Sequence, residues 1–205
     1  MITRRELRQN ARNTLSGKWM QPVLATLIYI LIAGVTSGFS GTKSASLLVG
    51  GGLISLLVAG NLGIGLQMGI LRFNRGREET VKEMFSAAFK EDYARILGLF
   101  LLQAVFILLW MLLFIIPGFI KAYAYSMSVF IAEDNPELGP LDCIKRSQEM
   151  MKGHKMDLFI LDLSFIGWIL LGILSLGIGM LWVSPWMYMA HAKFYEELKN
   201  EAVMA

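Results

Sequence analysis

The sequence predicts an all-α protein: a polytopic membrane helix bundle of about six segments in three hairpins, each preceded by a short amphipathic interfacial helix. Three observations predict it. Of 205 residues, 55% are hydrophobic and only 17% charged, and the apolar ones come in long runs rather than at amphipathic spacing. Residues 96–116, with Gln103 the only strongly polar side chain, meet the ~20-residue length that crosses about 30 Å of hydrocarbon. Lysine and arginine gather in the connections between alternate runs, the distribution expected when those connections stay in the cytoplasm.

Apolar segments fall at 19–37, 47–71, 96–116, 119–132, 156–176 and 180–194. At 1.5 Å per residue the stretch 96–132 would run about 55 Å as one helix, far beyond a bilayer, so the chain is expected to reverse at Pro117-Gly118. The same arithmetic places a second reversal at Leu176-Gly177-Ile178-Gly179, where glycine admits the positive φ of a tight turn. The basic N-terminus and first apolar run lack a clear small-x-small cleavage site, so they read as a retained span.

With both termini in the cytoplasm, the arginines and lysines near segment ends lie inside, Lys43 and Lys121 excepted. Lys121 is then expected to snorkel from just past an outer turn to the surface. The compartment implied is the cytoplasmic membrane, with one integral domain over 1–205 built of repeat-like units at about 1–72, 79–133 and 138–198.

An amphipathic helix is expected ahead of each hairpin. Thr3-Arg4-Arg5-Glu6 has capping-box spacing, followed by Leu7, Ala11 and Leu15 on one face. Thr80-Val81-Lys82-Glu83 repeats the box, with Val81, Met84, Phe85 and Ala88 apolar. Pro140 opens the third, which carries Leu141, Ile144 and Met151 and is terminated at Gly153. Arg4, Arg5, Arg8, Arg12, Lys145, Arg146, Lys152 and Lys155 are placed to meet anionic lipid headgroups or a partner.

Ile115-Ile116-Pro117-Gly118, Tyr125-Ser126-Met127, Asp134-Asn135-Pro136, the run from Ser147 to Lys155, Ser164-Phe165-Ile166-Gly167-Trp168 and Phe194-Tyr195-Glu196-Glu197-Leu198 carry a further signal. Over most of its length the chain resembles the bacterial integral membrane family called domain of unknown function nine-seven-five. The resemblance implies a multi-pass membrane protein, no established activity and no catalytic residues.

Enzymatic motifs do not fit the topology. Gly38-Phe39-Ser40-Gly41 is similar to the glycine-x-serine-glycine of rhomboid proteases, but Ser40 would lie at the outer end of a span and His191 about 18 Å deeper. His-Glu-x-x-His, phosphate-binding loops and His/Cys clusters are absent from the sequence, and the lone Cys143 excludes an internal disulfide. A non-enzymatic protein without a cofactor is therefore expected.

Asp162 is the sharpest polar feature, since a carboxylate near the centre of a span costs roughly 2.5–3.5 kcal/mol and needs water, a proton or a partner. Counted from the turn at Gly177, Asp162 and His191 reach similar depth, so they are expected to face one another, with Gln103 and Asn61 in the same polar layer. Gly65 with Gly69, and Gly34 with Gly38, have the spacing that lets helices approach closely. The segments at 119–132 and 180–194 are short for a bilayer, a known pointer to transporter sites. The leading expectation is a structural or interaction role, with membrane lipids, a membrane or cytoplasmic protein or a second copy as partner and no nucleic acid. The alternative is a transporter or channel for a small solute or lipid.

Overall fold

A computed structural model describes residues 3–38, 45–77, 79–89 and 93–204, apart from the side chains of 4, 37–38, 45–56 and 202–204. Ser40 and Lys43, on which the protease comparison and the outer loop turned, lie outside the described residues, as do the side chains of Arg4 and Gly38. Among the described residues every regular element is a helix.

Helix α1 (Arg4–Leu15) begins with the anticipated capping box: Thr3 Oγ1 accepts the Glu6 N–H at 3.3 Å while Glu6 Oε2 accepts the Thr3 N–H at 2.7 Å. Leu7, Ala11 and Leu15 are buried. Gly17, at φ +80°, ends the element, and the chain bends by 97° into α2 (Met20–Gly38). Helix α3 (Ala45–Asn74) is the centre of the molecule. Between 61 and 73 only Gly63 and Gln67 are less than fully buried, as expected of a helix apolar on every side and enclosed by others.

Helix α4 (Thr80–Phe89) departs from expectation twice. Thr80 is its first helical residue rather than its cap, with a buried hydroxyl that has no hydrogen-bond partner, and the Glu83 carboxylate goes to Arg72 and Arg77, so the second capping box does not form. The buried face is Thr80, Met84, Ala87 and Ala88, rotated from the anticipated stripe. The helix also folds back along α3: a Cβ on Gly69 would meet the Thr80 carbonyl oxygen at 3.1 Å, and one on Gly65 the Met84 carbonyl oxygen at 2.4 Å.

Helix α5 (Tyr93–Leu113) is followed by α6 (Ile115–Tyr125), and here the reversal precedes Pro117-Gly118. Phe114 alone leaves the helix, at φ −157° and ψ 134°. Pro117 falls in the first turn of α6, where its missing N–H would have had no intrahelical partner anyway. Gly118 supplies the close approach instead, since a Cβ there would stand 2.6 Å from Met111 Cγ.

A break at Ser126-Met127 separates α6 from α7 (Ser128–Asp134). Ser147 of α8 (Pro140–Met150) fills it, accepting the Met127 N–H at 3.2 Å and donating to the Ala124 carbonyl at 2.8 Å. Pro140 opens α8 as anticipated, and Gly153 follows it at φ +92°.

The expected segment 156–176 is two helices, α9 (Lys155–Leu163) and α10 (Ile166–Leu174), parted at Ser164-Phe165. Arg8 Nη1 takes the Ser164 carbonyl at 2.8 Å, so Arg8 points into the protein rather than toward headgroups. Leu176 and Gly177, at φ 57° and 85°, make the turn into α11 (Met180–Met204).

Among the described residues three stretches are long and apolar enough to cross a membrane: Tyr93–Leu113, Ile115–Asp134 and Lys155–Leu174, with Arg5–Leu15 and Met20–Thr36 as a bent fourth. Large apolar side chains lie bare at one end of the molecule, around Leu112 to Ile116 and Leu170 to Leu176. The buried core sits toward the other end, where α4 and α7 pack on α3, α1 packs on α11, and α8 packs on α5, α6 and α7.

Candidate functional site

The hairpin α9–α10/α11 brings Asp162 and His191 together. His191 Nε2 stands 2.5 Å from Asp162 Oδ1, and Tyr123 of α6 donates its hydroxyl to Oδ2 at 3.1 Å. Both Asp162 oxygens are therefore engaged by protein, and Nδ1 is the ring nitrogen of His191 left over. Gln103 serves the adjacent helix break, donating to the Tyr125 carbonyl at 3.3 Å and accepting from Ser128 Oγ at 3.3 Å.

His191 and Gln103 line a cavity of about 560 Å³ where α2, α3, α5, α6, α7 and α11 converge. Its size is that of a small-molecule pocket. Asp162 lies behind His191 and does not line it; neither does Asn61, which is fully buried with no hydrogen-bond partner for either amide atom. The polar layer anticipated from sequence is thus two groups, with Asn61 apart from the cavity. The lining is mixed: Tyr29, Gln67, Gln103, Ser126, Tyr188 and His191 bring polar groups, whereas Phe100, Ala104, Ile107 and Val129 bring carbon. Glycine shapes it: Gly60 lies directly under the Phe100 ring, and a Cβ on Gly63 would come within 3.6 Å of the Tyr29 hydroxyl. Gly34, by contrast, has no described residue within 4 Å of where its Cβ would be.

A second polar cluster, unforeseen in the sequence, joins the ends of α3, α7 and α11. Arg72 Nε and Nη2 bind Glu133 at 2.5 and 3.0 Å, and Nη1 binds Glu83 at 2.6 Å. Arg75 pairs with Asp134 through both oxygens and with Glu196 at 2.7 Å; Tyr195 and Lys199 donate to the same Asp134 at 2.8 and 2.7 Å. The hydrogen bond to Asp134 raises the Arg75 guanidinium further above its ordinary range, and burial together with that carboxylate pushes the Tyr195 phenol up. Arg95 caps the end of α7 by donating to the Ala132 and Asn135 carbonyls.

Other basic residues are divided. Arg5, Arg12, Lys145, Arg146 and Lys152 are exposed and Lys155 is half-buried. Lys121 is half-buried, its ammonium 4.9 Å from the Trp110 ring centroid and 3.5 Å from Gln148 of α8. Among the described residues no group of three His, Cys, Asp or Glu side chains could hold a metal ion.

The family model described as Protein of unknown function (DUF975) matches residues 1–121 and 111–202. The chain belongs to this family. No curated protein and no solved structure matches it. In this DUF975 protein, stretches that carried the resemblance meet in space: Asp134 with Tyr195 directly and with Glu196 through Arg75, and Ser147 against Met127 at the α6–α7 break. The signal available in sequence was the placement of acidic residues at the ends of apolar runs, opposite Arg72 and Arg75.

Proposed function

We propose that this DUF975 protein is a non-enzymatic integral protein of the cytoplasmic membrane, its six apolar segments laid out as three hairpins with both termini in the cytoplasm. Its role is interaction with lipid or with other membrane proteins. The observation that carries this reading is the bareness of the apolar helices: leucine, isoleucine and valine side chains lie exposed along α5 and α10, whereas a clamp of arginines and carboxylates joins the ends of α3, α7 and α11. The first suits acyl chains and the second the aqueous boundary. The exposed Arg5, Lys145, Arg146 and Lys152 are then positioned for anionic headgroups.

A transporter or channel working around Asp162 would need water at that carboxylate. His191 lines the cavity and Asp162 does not, and Tyr123 and His191 occupy both of the Asp162 carboxylate oxygens.

The test is sidedness. In a Cys143→Ser background, Ile178→Cys should react with an impermeant maleimide on intact cells, and Arg77→Cys only after the membrane is opened. Labelling of position 77 on intact cells, with position 178 protected, would reverse the arrangement.

A further inference from the structure

We propose that the cavity between the hairpins is a binding site for one uncharged amphiphile, a molecule with hydroxyl or amide groups on one side and hydrocarbon on the other. The proposal names the ligand class for the lipid-interaction role above and rests on that reading for the cavity's surroundings.

Charge decides the first part. None of the residues lining the cavity carries a fixed charge, and the one titratable pair at its edge, His191 with Asp162, is matched within the protein. A carboxylate or ammonium brought here would lose its water without gaining a counter-ion, which burial punishes heavily. An uncharged molecule meets no such barrier.

Hydrogen bonding decides the second. Tyr29, Gln67 and Tyr188 have no side-chain hydrogen bond to any described residue, and His191 keeps Nδ1 unused. These four groups come from α2, α3 and α11 and converge on one space. In a protein enclosed by hydrocarbon, polar groups in such a place are satisfied by something that enters it. Gln103 and Ser126 are already committed to the Tyr125 and Tyr123 carbonyls, so the ligand's polar edge belongs against the first four.

Shape decides the third. Phe100, Ala104, Ile107 and Val129, from α5 and α7, line the same space with carbon. At roughly 30 Å³ per water, 560 Å³ would otherwise hold on the order of twenty waters, many with nothing but carbon beside them. An occupant with one apolar side replaces those waters at a gain.

Radiolabelled 1-decanoylglycerol, tested on the full chain in nanodiscs of phosphatidylcholine, reads the proposal directly. Binding should saturate at one molecule per chain, and unlabelled 1-decanoylglycerol should compete while decanoate, decane and glycerol do not. Ala104→Phe, which fills the space, should remove the saturable component. Tyr188→Phe combined with Gln67→Leu, which keeps the shape, should weaken binding by about tenfold or more, the loss of one or two hydrogen bonds. Absence of saturable binding, or equal binding by wild type and Ala104→Phe, would overturn the site. Competition by decanoate or decane would overturn the assignment to an uncharged polar ligand, and competition by glycerol would make it a free-solute site and overturn the apolar half. Orientation in the cell does not enter this measurement, so its failure is separable from a failure of the cysteine labelling.

Discussion

Arg72, near the end of α3, and Glu133, at the end of α7, meet through two parallel hydrogen bonds of 2.5 and 3.0 Å, with both side chains nearly closed off from solvent. Glu83 of α4 takes the remaining arm of the same guanidinium at 2.6 Å. One cation therefore ties the consecutive helices α3 and α4 to the distant α7, and its planar fork is suited to holding two carboxylates at once.

Removing that cation should be among the most damaging single changes in the chain. Arg72→Ala strands the nearly buried Glu133 and leaves Glu83 with only the exposed Arg77, and stability should fall by about 3–5 kcal/mol. Thermal unfolding in detergent, followed by loss of helical circular dichroism, measures it. Arg72→Met combined with Glu83→Leu and Glu133→Leu should recover most of the loss; a triple variant no better than Arg72→Ala would show that the ion pairs themselves, and not the stranded charges, set the energy.

Two glycines with the same apparent motif should respond in opposite directions. Gly65→Val drives side-chain atoms into the Met84 carbonyl and Ala88, which α4 can relieve only by lifting from α3, a destabilisation of about 1–3 kcal/mol. Gly34→Ala meets open space within a helix and should be neutral or stabilising by up to about 1 kcal/mol. Comparing the two melting curves checks the contrast, and equal losses would mean that α2 packs through Gly34 on something outside the chain.

Cys143 gives a pH-dependent readout of how firmly α8 is seated. The thiol is buried, and burial pushes its pKa up, so the thiolate that a maleimide needs is scarce at neutral pH and becomes available only at higher pH than for a free cysteine. Labelling of the folded protein at pH 7 should be far slower than after denaturation in dodecyl sulfate and should accelerate as pH rises. Rapid labelling of the native protein at pH 7 would show that α8 leaves its place.

Local features of this fold are readable in the residues and long-range ones are not. The start of α1 follows from Thr3 and Glu6 because a capping box is closed within four residues, and the stripe of Leu7, Ala11 and Leu15 follows from helical spacing. The turn at Gly177 follows from length arithmetic plus glycine. The reversal at Phe114 is hidden because proline punctuates a sequence wherever it stands, yet at Pro117 it sits harmlessly in a first turn. Thr80 repeats the letters of the first box, but Glu83 finds a stronger partner in Arg72, from an element the local sequence cannot see. The proximity of Asp162 and His191 can be counted along one hairpin, whereas Asn61 is set apart by the rotation of α3, which its neighbours α4 and α5 decide.

The seating of α1 has a consequence for how the protein is made. Its apolar stripe is covered by α9 and α11, and the Trp186 indole donates to the Arg8 carbonyl at 2.9 Å across 178 positions of chain. Helix α1 thus waits for α11, made some 178 positions later, before its apolar side is hidden. A chain that stops short of α11 keeps that apolar side uncovered.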